Sequence, residues 1–178
     1  MNKDNINTVA HRWIKEKIQP DWICVDATAG NGNDTLFLLQ HAKKVYAFDI
    51  QTQAKENTLK RTQGYDNLIF HLTGHQNMKQ YVHEKIDLAI FNFGYLPHAD
   101  PSCITLPDTS LTAIEAAFSL LNENGYLYLA VYFGHDGGIA EHQTIYKWIL
   151  KQKDQVEVRS YTQRKGAPIL YEIKKSPR

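Results

Sequence analysis

Residues 22–39 read WICVDATAGNGNDTLFLL. An apolar run from Trp22 to Val25 ends on Asp26. A glycine-rich turn follows through Gly30-Asn31-Gly32, and Thr35 to Leu39 then stand in a helical context. An unbroken apolar run of this kind fits a parallel strand buried on both faces. Glycines at the turn permit positive φ and let a ligand approach the backbone closely. Strand, glycine turn and helix in this order mark the corner of a doubly wound sheet, where ligands lie at the carboxyl ends of the strands.

The same alternation continues outward in both directions. Upstream, Ile6, Val9, Trp13, Ile14 and Ile18 recur at helical spacing, with Asn7 or Thr8 as the expected cap and Pro20 as the stop. Downstream, Val45 to Phe48 is a second strand, ending on Asp49. Residues 51–62 read as a helix, Leu68 to Phe70 as a strand, 75–83 as a short helix, and Leu88 to Phe91 as a strand ending on Asn92. A long loop, Phe93 to Asp108, carries Gly94, Pro97, Pro101 and Pro107, and loops of that length tend to be functional. Thr109 or Ser110 opens a helix through Leu121, with Gly125 as its C-terminal glycine. Tyr126 to Phe133 is a strand and 138–151 a helix. Val156 to Tyr161 and Ile169 to Ile173 alternate as an antiparallel hairpin. The prediction is a single α/β domain over residues 1–178: a Rossmann-like, doubly wound seven-stranded sheet, mostly parallel, with a C-terminal antiparallel hairpin and an N-terminal helix.

Bulk properties fit that reading. A chain of 178 residues can bury about 70% of the surface its unfolded form exposes, so the core needs no disulfide or metal. The cysteines are Cys24, inside the first strand, and Cys103, with no CxxC pair. No apolar leader and no run of 18 apolar residues is present, which predicts a cytoplasmic protein without a membrane partner. A net charge of +1 implies that any nucleic-acid contact is small and local. Basic residues do gather at Lys43-Lys44, Lys60-Arg61, Arg159 to Lys165 and Lys174-Lys175, and a solvated surface explains them equally well.

Three clusters carry candidate chemistry. The first is the loop itself. Asp49 ends the second strand about twenty residues after the glycines, where an acid binds ribose hydroxyls. Asp26 and Asp34 would repel a pyrophosphate, and Thr35 stands where a dinucleotide fingerprint needs its third glycine. An acidic, glycine-rich loop suits S-adenosylmethionine, which has a sulfonium and an ammonium and no phosphate. Gly30, Asn31, Gly32 and Asn33 complete that expected cofactor surface, and His75, near the third strand's end, is a candidate for the adenine edge. Asp34 also has a plainer role, because an acid in a first helical turn complements the macrodipole.

The second cluster is Asn92-Phe93-Gly94-Tyr95-Leu96-Pro97, directly after the fourth strand. It is similar to the Asn-Pro-Pro-Tyr motif of amino methyltransferases, with Phe-Gly in place of Pro-Pro. The amide oxygen of Asn92 and the carbonyl of Phe93 can accept hydrogen bonds from a substrate amine, and Tyr95 can stack on a flat base. The third cluster is Tyr132-Phe133-Gly134-His135-Asp136-Gly137-Gly138, where His135 or Asp136 could bind or deprotonate substrate; a structural hydrogen bond is the plainer role. No histidine spacing suggests a metal site.

Taken together, Asp26 to Leu39, Val45 to Gln51, Phe91 to Pro97, Thr105 to Ala117, Val131 to Glu141 and Ala167-Pro168 resemble the YtqB/MnmM family of rRNA methylase-like proteins. The resemblance implies a class I methyltransferase that uses S-adenosylmethionine to N-methylate 5-aminomethyl-2-thiouridine at the wobble position of tRNA, with the anticodon loop as partner and a homodimer as assembly. It implies cofactor contacts at Asn31, Asn33, Asp34, Asp49, Gln51, His75 and Asn92. On the substrate side it implies Asn92, Phe93, Gly94, Tyr95, Pro97 and His98, with Asn92, Tyr95 and His135 closest to the chemistry. One departure is Gln163-Arg164-Lys165, where family members often carry Asn shortly before the final Ala-Pro. The rival readings are a methyltransferase of rRNA or of a small-molecule amine, an NAD-binding oxidoreductase on a similar sheet, and a non-catalytic RNA-binding relative.

Overall fold

The alternation seen in the sequence becomes one seven-stranded sheet. The structure is a computed structural model and describes residues 4–94 and 106–177. The strands are β1 (Ile23–Asp26), β2 (Lys44–Asp49), β3 (Leu68–Leu72), β4 (Ile86–Phe93), β5 (Leu121–Val131), β6 (Val156–Thr162) and β7 (Ile169–Lys175). Their spatial order is β3-β2-β1-β4-β5-β7-β6. The first five are mutually parallel, and β7 runs antiparallel between β5 and β6. The helices are α1 (Ile6–Lys15), α2 (Asn33–Leu39), α3 (Thr52–Arg61), α4 (Pro107–Leu120) and α5 (Gly138–Lys151), with a 3-10 turn at His75–Gln80.

Alternation along each strand sends neighbours to opposite faces. Val25, Phe48, Phe91, Leu127 and Tyr171 enter one core with Ile114 of α4 and Trp148 of α5. Cys24, Val45, Leu88, Tyr128 and Leu170 enter the other, beneath α1 and α2. Each fully buried large side chain contributes about 1.5–3 kcal/mol relative to exposure. The strand order reverses at β1 and β4, so their carboxyl ends, Asp26 and Phe93, flank the switch point. No helix among the described residues is long and apolar enough to cross a membrane.

Three local details differ from the expected ones. Asn5 caps α1, because its side chain reaches the Thr8 amide at 2.9 Å. Pro107 opens α4, the position where its missing N–H costs nothing. Gly125 does not close α4. The chain enters β5 at Leu121, paired with Ile86, bulges, and resumes pairing at Tyr126 with Leu88. Asn124 takes the left-handed conformation of that bulge. Gly125 is needed for close approach instead, since a Cβ there would sit 2.9 Å from the Asn122 carbonyl oxygen.

Candidate functional site

Asp26 sets the shape of the loop that follows β1. Its Oδ2 accepts the Thr35 hydroxyl at 2.6 Å and its Oδ1 the Thr28 amide at 3.2 Å. It has no exposed surface, and burial, helped by the nearby Asp34 charge, pushes its carboxyl up to about 8. Expected to face a ligand, Asp26 instead lies beneath the loop, tying the end of β1 to the first turn of α2.

Gly32 caps α2 with φ +79°, and a Cβ there would sit 2.8 Å from Thr58 Cα of α3. Only glycine satisfies both the backbone sign and the approach of α3. Asp49, at the end of β2, clamps the tip: its Oδ2 accepts the Gly30 amide at 3.0 Å and its Oδ1 the Gln51 amide at 2.9 Å. Burial raises its pKa, and these amide donors oppose that rise. An ionised carboxylate has about four acceptor positions, so two remain for hydroxyls. Asn31 is held on α3, its Oδ1 taking Asn57 Nδ2 and its carbonyl taking Arg61 Nε. Asn33 is exposed. His75 is buried, with Nδ1 donating to the Ala27 carbonyl at 3.2 Å; burial lowers its pKa to about 4, so it is neutral and its Nε2 is an acceptor.

At the end of β4, the Asn92 amide N–H donates to Thr28 Oγ1 at 2.7 Å, joining the two central strand ends. Its side-chain Nδ2 donates to Asp34 Oδ2 at 2.6 Å, and its buried Oδ1 has no hydrogen-bond partner among the described residues. Asp34 Oδ1 meets His11 Nε2 of α1 at 2.5 Å, and the His11 ring lies flat on Phe37, 4.1 Å between centroids at 6°.

Phe93 was expected to act through its backbone carbonyl, which accepts from the Tyr132 amide at 3.4 Å. Its ring is fully buried and stacked on Phe91, because the alternation of β4 turns it into the core. Gly94 has φ +88°, and the space a Cβ would take there is filled by the His135 imidazole. His135 Nδ1 donates to the Asp136 carbonyl, and Nε2 lies 3.7 Å from Oε2 of Glu141, a fully buried acid whose Oε1 accepts the Ser110 hydroxyl. Tyr95, Pro97 and His98, like Cys103, lie outside the described residues.

A cleft of about 390 Å³ opens over this arrangement, its walls including His11, Asn31, Asp34, Asn92 and Tyr132. That volume falls in the range of small-molecule sites. Sequence reasoning gave no site role to His11, Thr8 or Thr28, and named Tyr132 only as the start of the third cluster. A signal for α1 exists: Asn7, Thr8 and His11 form a polar stripe at i, i+1 and i+4, opposite Ile6, Val9 and Trp13. The walls carry one carboxylate, Asp34, among amide and hydroxyl groups. That chemistry fits a cationic ligand with hydroxyls and amines, and the orphaned Asn92 oxygen is an acceptor awaiting a donor.

Residues 45–174 match a family model described as "Putative rRNA methylase". Over 154 residues the chain is 38% identical to an Arabidopsis thaliana protein named tRNA (mnm(5)s(2)U34)-methyltransferase, chloroplastic, covering 77% of this chain and 56% of that relative. The chain thus spans little more than half of that protein's length. Among solved structures, it is similar to a Streptococcus mutans protein described as "a putative methyltransferase" in complex with SAH (TM-score 0.89, 37% identity, 97% of this chain and 99% of that one). It is also similar to a Clostridium thermocellum protein described as a "putative rRNA-methylase" (TM-score 0.90, 33% identity, 98% and 100% coverage).

Proposed function

The chain belongs to the family described as "Putative rRNA methylase", and from that premise we propose that it is an S-adenosylmethionine-dependent N-methyltransferase that converts 5-aminomethyl-2-thiouridine to its methylaminomethyl form at tRNA position 34, the nucleoside named for its plant relative. The observation that carries the amine as acceptor is the Asn92 oxygen, buried and unpartnered beside a polar cleft that holds Asp34. A substrate N–H that donates to it also has its lone pair oriented.

When bound, S-adenosylmethionine supplies an electrophilic methyl group. The chain's residues do the rest. Asp49 and the positive-φ glycines offer the ribose site, and Asn31, Asn33 and Asp34 offer the wall for the cationic end. His75 presents an acceptor toward the adenine side, and Gln51 continues the surface from Asp49. Asn92 orients the attacking nitrogen, and Tyr95 stacks on the base. Proximity and orientation of this kind are worth about 7–11 kcal/mol. If the amine had a lysine-like pKa near 10.4, neutralising it at pH 7 would cost about 4–5 kcal/mol. An aminomethyl group on an electron-poor ring costs less, so the proton can leave to water without a dedicated base.

The family's description favours rRNA as the second reading. Both are tested by incubating the protein with labelled S-adenosylmethionine and bulk RNA from cells lacking the gene, followed by nucleoside mass spectrometry. Label in 5-methylaminomethyl-2-thiouridine supports the proposal. Label confined to rRNA replaces its substrate, and no label in any RNA removes RNA as the acceptor.

A further inference from the structure

Asp34 sits between two donors. A carboxylate only accepts hydrogen bonds, so both of its neighbours must turn a proton toward it. On one side this fixes Asn92. The amide nitrogen faces Asp34 at 2.6 Å, and the oxygen is left buried and without a partner. A flipped amide would set its oxygen against the carboxylate and offer an N–H to an incoming amine, which is the wrong polarity. On the other side, His11 Nε2 holds the second carboxylate oxygen at 2.5 Å.

His11 is itself held. Its ring lies nearly coplanar on Phe37 of α2, and its helix is docked by the Tyr132 hydroxyl on Asn7 Oδ1 and by the Tyr161 hydroxyl and Gln163 Nε2 on the Asp4 carbonyl. The N-terminal helix therefore reaches across the strand ends and places one N–H on the acid that orients Asn92. His11 lies outside residues 45–174, the stretch matched by the family model.

We infer that His11 is a positioning residue for methyl transfer. Acting through Asp34, it fixes the Asn92 amide so that its oxygen, and not its nitrogen, faces the acceptor amine. This rests on the methyltransferase reading. It assigns the N-terminal helix a part in selecting an N–H-bearing acceptor, beyond forming a wall of the cleft.

The test uses His11→Phe, which keeps the flat ring on Phe37 but has no donor, and His11→Gln, which restores an N–H. Steady-state methylation of tRNA should show kcat for His11→Phe lowered on the order of 10- to 100-fold, the effect of a slightly misplaced reacting group. KM for tRNA and S-adenosylmethionine affinity by calorimetry should stay within about threefold, and His11→Gln should recover part of kcat. In an Asn92→Ala background, His11→Phe should cost little further. An equal fold-loss in both backgrounds means that His11 merely supports the fold, and it overturns the inference.

A second readout needs no turnover. In the protein without cofactor, the side-chain amide resonances of Asn92, identified by their absence in Asn92→Asp, should move in His11→Phe and return toward their position in His11→Gln. Unmoved resonances overturn the inference. If the wild-type protein methylates no acceptor, the functional reading fails, while the amide resonances still decide whether His11 holds Asn92.

Discussion

Gly94 and His135 occupy one space: a Cβ added to Gly94 would lie 1.8 Å from His135 Nε2. The end of β4 and the loop after β5 are thus fitted to each other through the absence of a side chain. Gly94→Ala should cost about 1–2 kcal/mol for its left-handed backbone, plus about 1–3 kcal/mol for overpacking against the imidazole. His135→Ala in that background should remove the second cost and leave the first. Chemical denaturation of the two single variants and the double variant checks this, and simple additivity would show that the two residues do not contend for the same space.

Asn92 and Asp49 should separate turnover from cofactor binding. Asn92→Ala removes the acceptor proposed for the substrate amine, so kcat should fall steeply, by about 100-fold if the loss resembles misplacement of the reacting nitrogen, with S-adenosylmethionine affinity nearly intact. Asp49→Ala removes a charged acceptor from the Gly30 and Gln51 amides and from the proposed ribose site. Hydrogen bonds to charged groups are worth about 1.5–3 kcal/mol, so cofactor affinity should fall about 10- to 100-fold. Calorimetry and steady-state kinetics on both variants read the two effects apart. Wild-type turnover in Asn92→Ala, or unchanged affinity in Asp49→Ala, contradicts the assigned role.

Asp26 predicts a pH dependence of stability. Buried beside Asp34, it keeps its proton in the folded protein up to about 8, whereas its ordinary value is 3.8. Between those values the folded state binds the extra proton, so this residue's contribution to stability declines as pH rises from about 4 toward 8. Asp26→Asn carries no such proton and can still hydrogen-bond Thr35, so its melting temperature should fall less over that window. Parallel slopes for the two proteins would show that Asp26 is ionised beneath the loop.

How much of this was legible beforehand follows from range. The sheet and its hairpin were readable because each strand announces itself locally, as Val45 to Phe48 does by an unbroken apolar run ending on an acid. Asp49 and Asn92 became candidates because each stands at the end of a strand, and Gly32 because it lies in the turn after one. His11 was not readable, since the bond to Asp34 spans 23 residues, and the polar stripe of Asn7, Thr8 and His11 marks a face of α1 without showing what it meets. Asp26 was misjudged for a related reason. It belongs to the right segment, but the Thr35 hydroxyl holds it beneath the loop, and a motif read as a string does not show which of its residues face the cleft. Gly125 was misread because a bulge in β5 and a helix end use the same residues.

The anchorage of α1 gives the last prediction. Glu172 of β7 is nearly buried and accepts from Lys17 Nζ at 3.1 Å, from the Tyr128 hydroxyl at 2.6 Å, and from Arg159 Nε and Nη2 at 3.1 and 2.9 Å. The Arg159 guanidinium in turn lies 3.7 Å from the Trp13 ring centroid of α1. Burial alone would raise the Glu172 pKa, but the donors from Arg159, Tyr128 and Lys17 outweigh it and leave it lowered from 4.5. The folded state therefore binds that proton less readily than the unfolded state. The stabilisation is present above about 4.5 and is lost as pH falls through the depressed value. Breaking a buried pair costs about 3–5 kcal/mol, and the partly exposed Arg159 and Lys17 recover some hydration, so Glu172→Gln should cost about 2 kcal/mol. For a chain of this size that is a drop of about 4–8 °C in melting temperature. The loss should shrink toward acidic pH, where the wild-type carboxylate is itself protonated. Because α1 carries His11 to Asp34, loosening its anchor should also lower methyl transfer at temperatures where the rest of the sheet is intact. A Glu172→Gln protein with wild-type stability at neutral pH would mean that the apolar contacts of Trp13, Ile14 and Val9 dock α1 without help from the charged cluster.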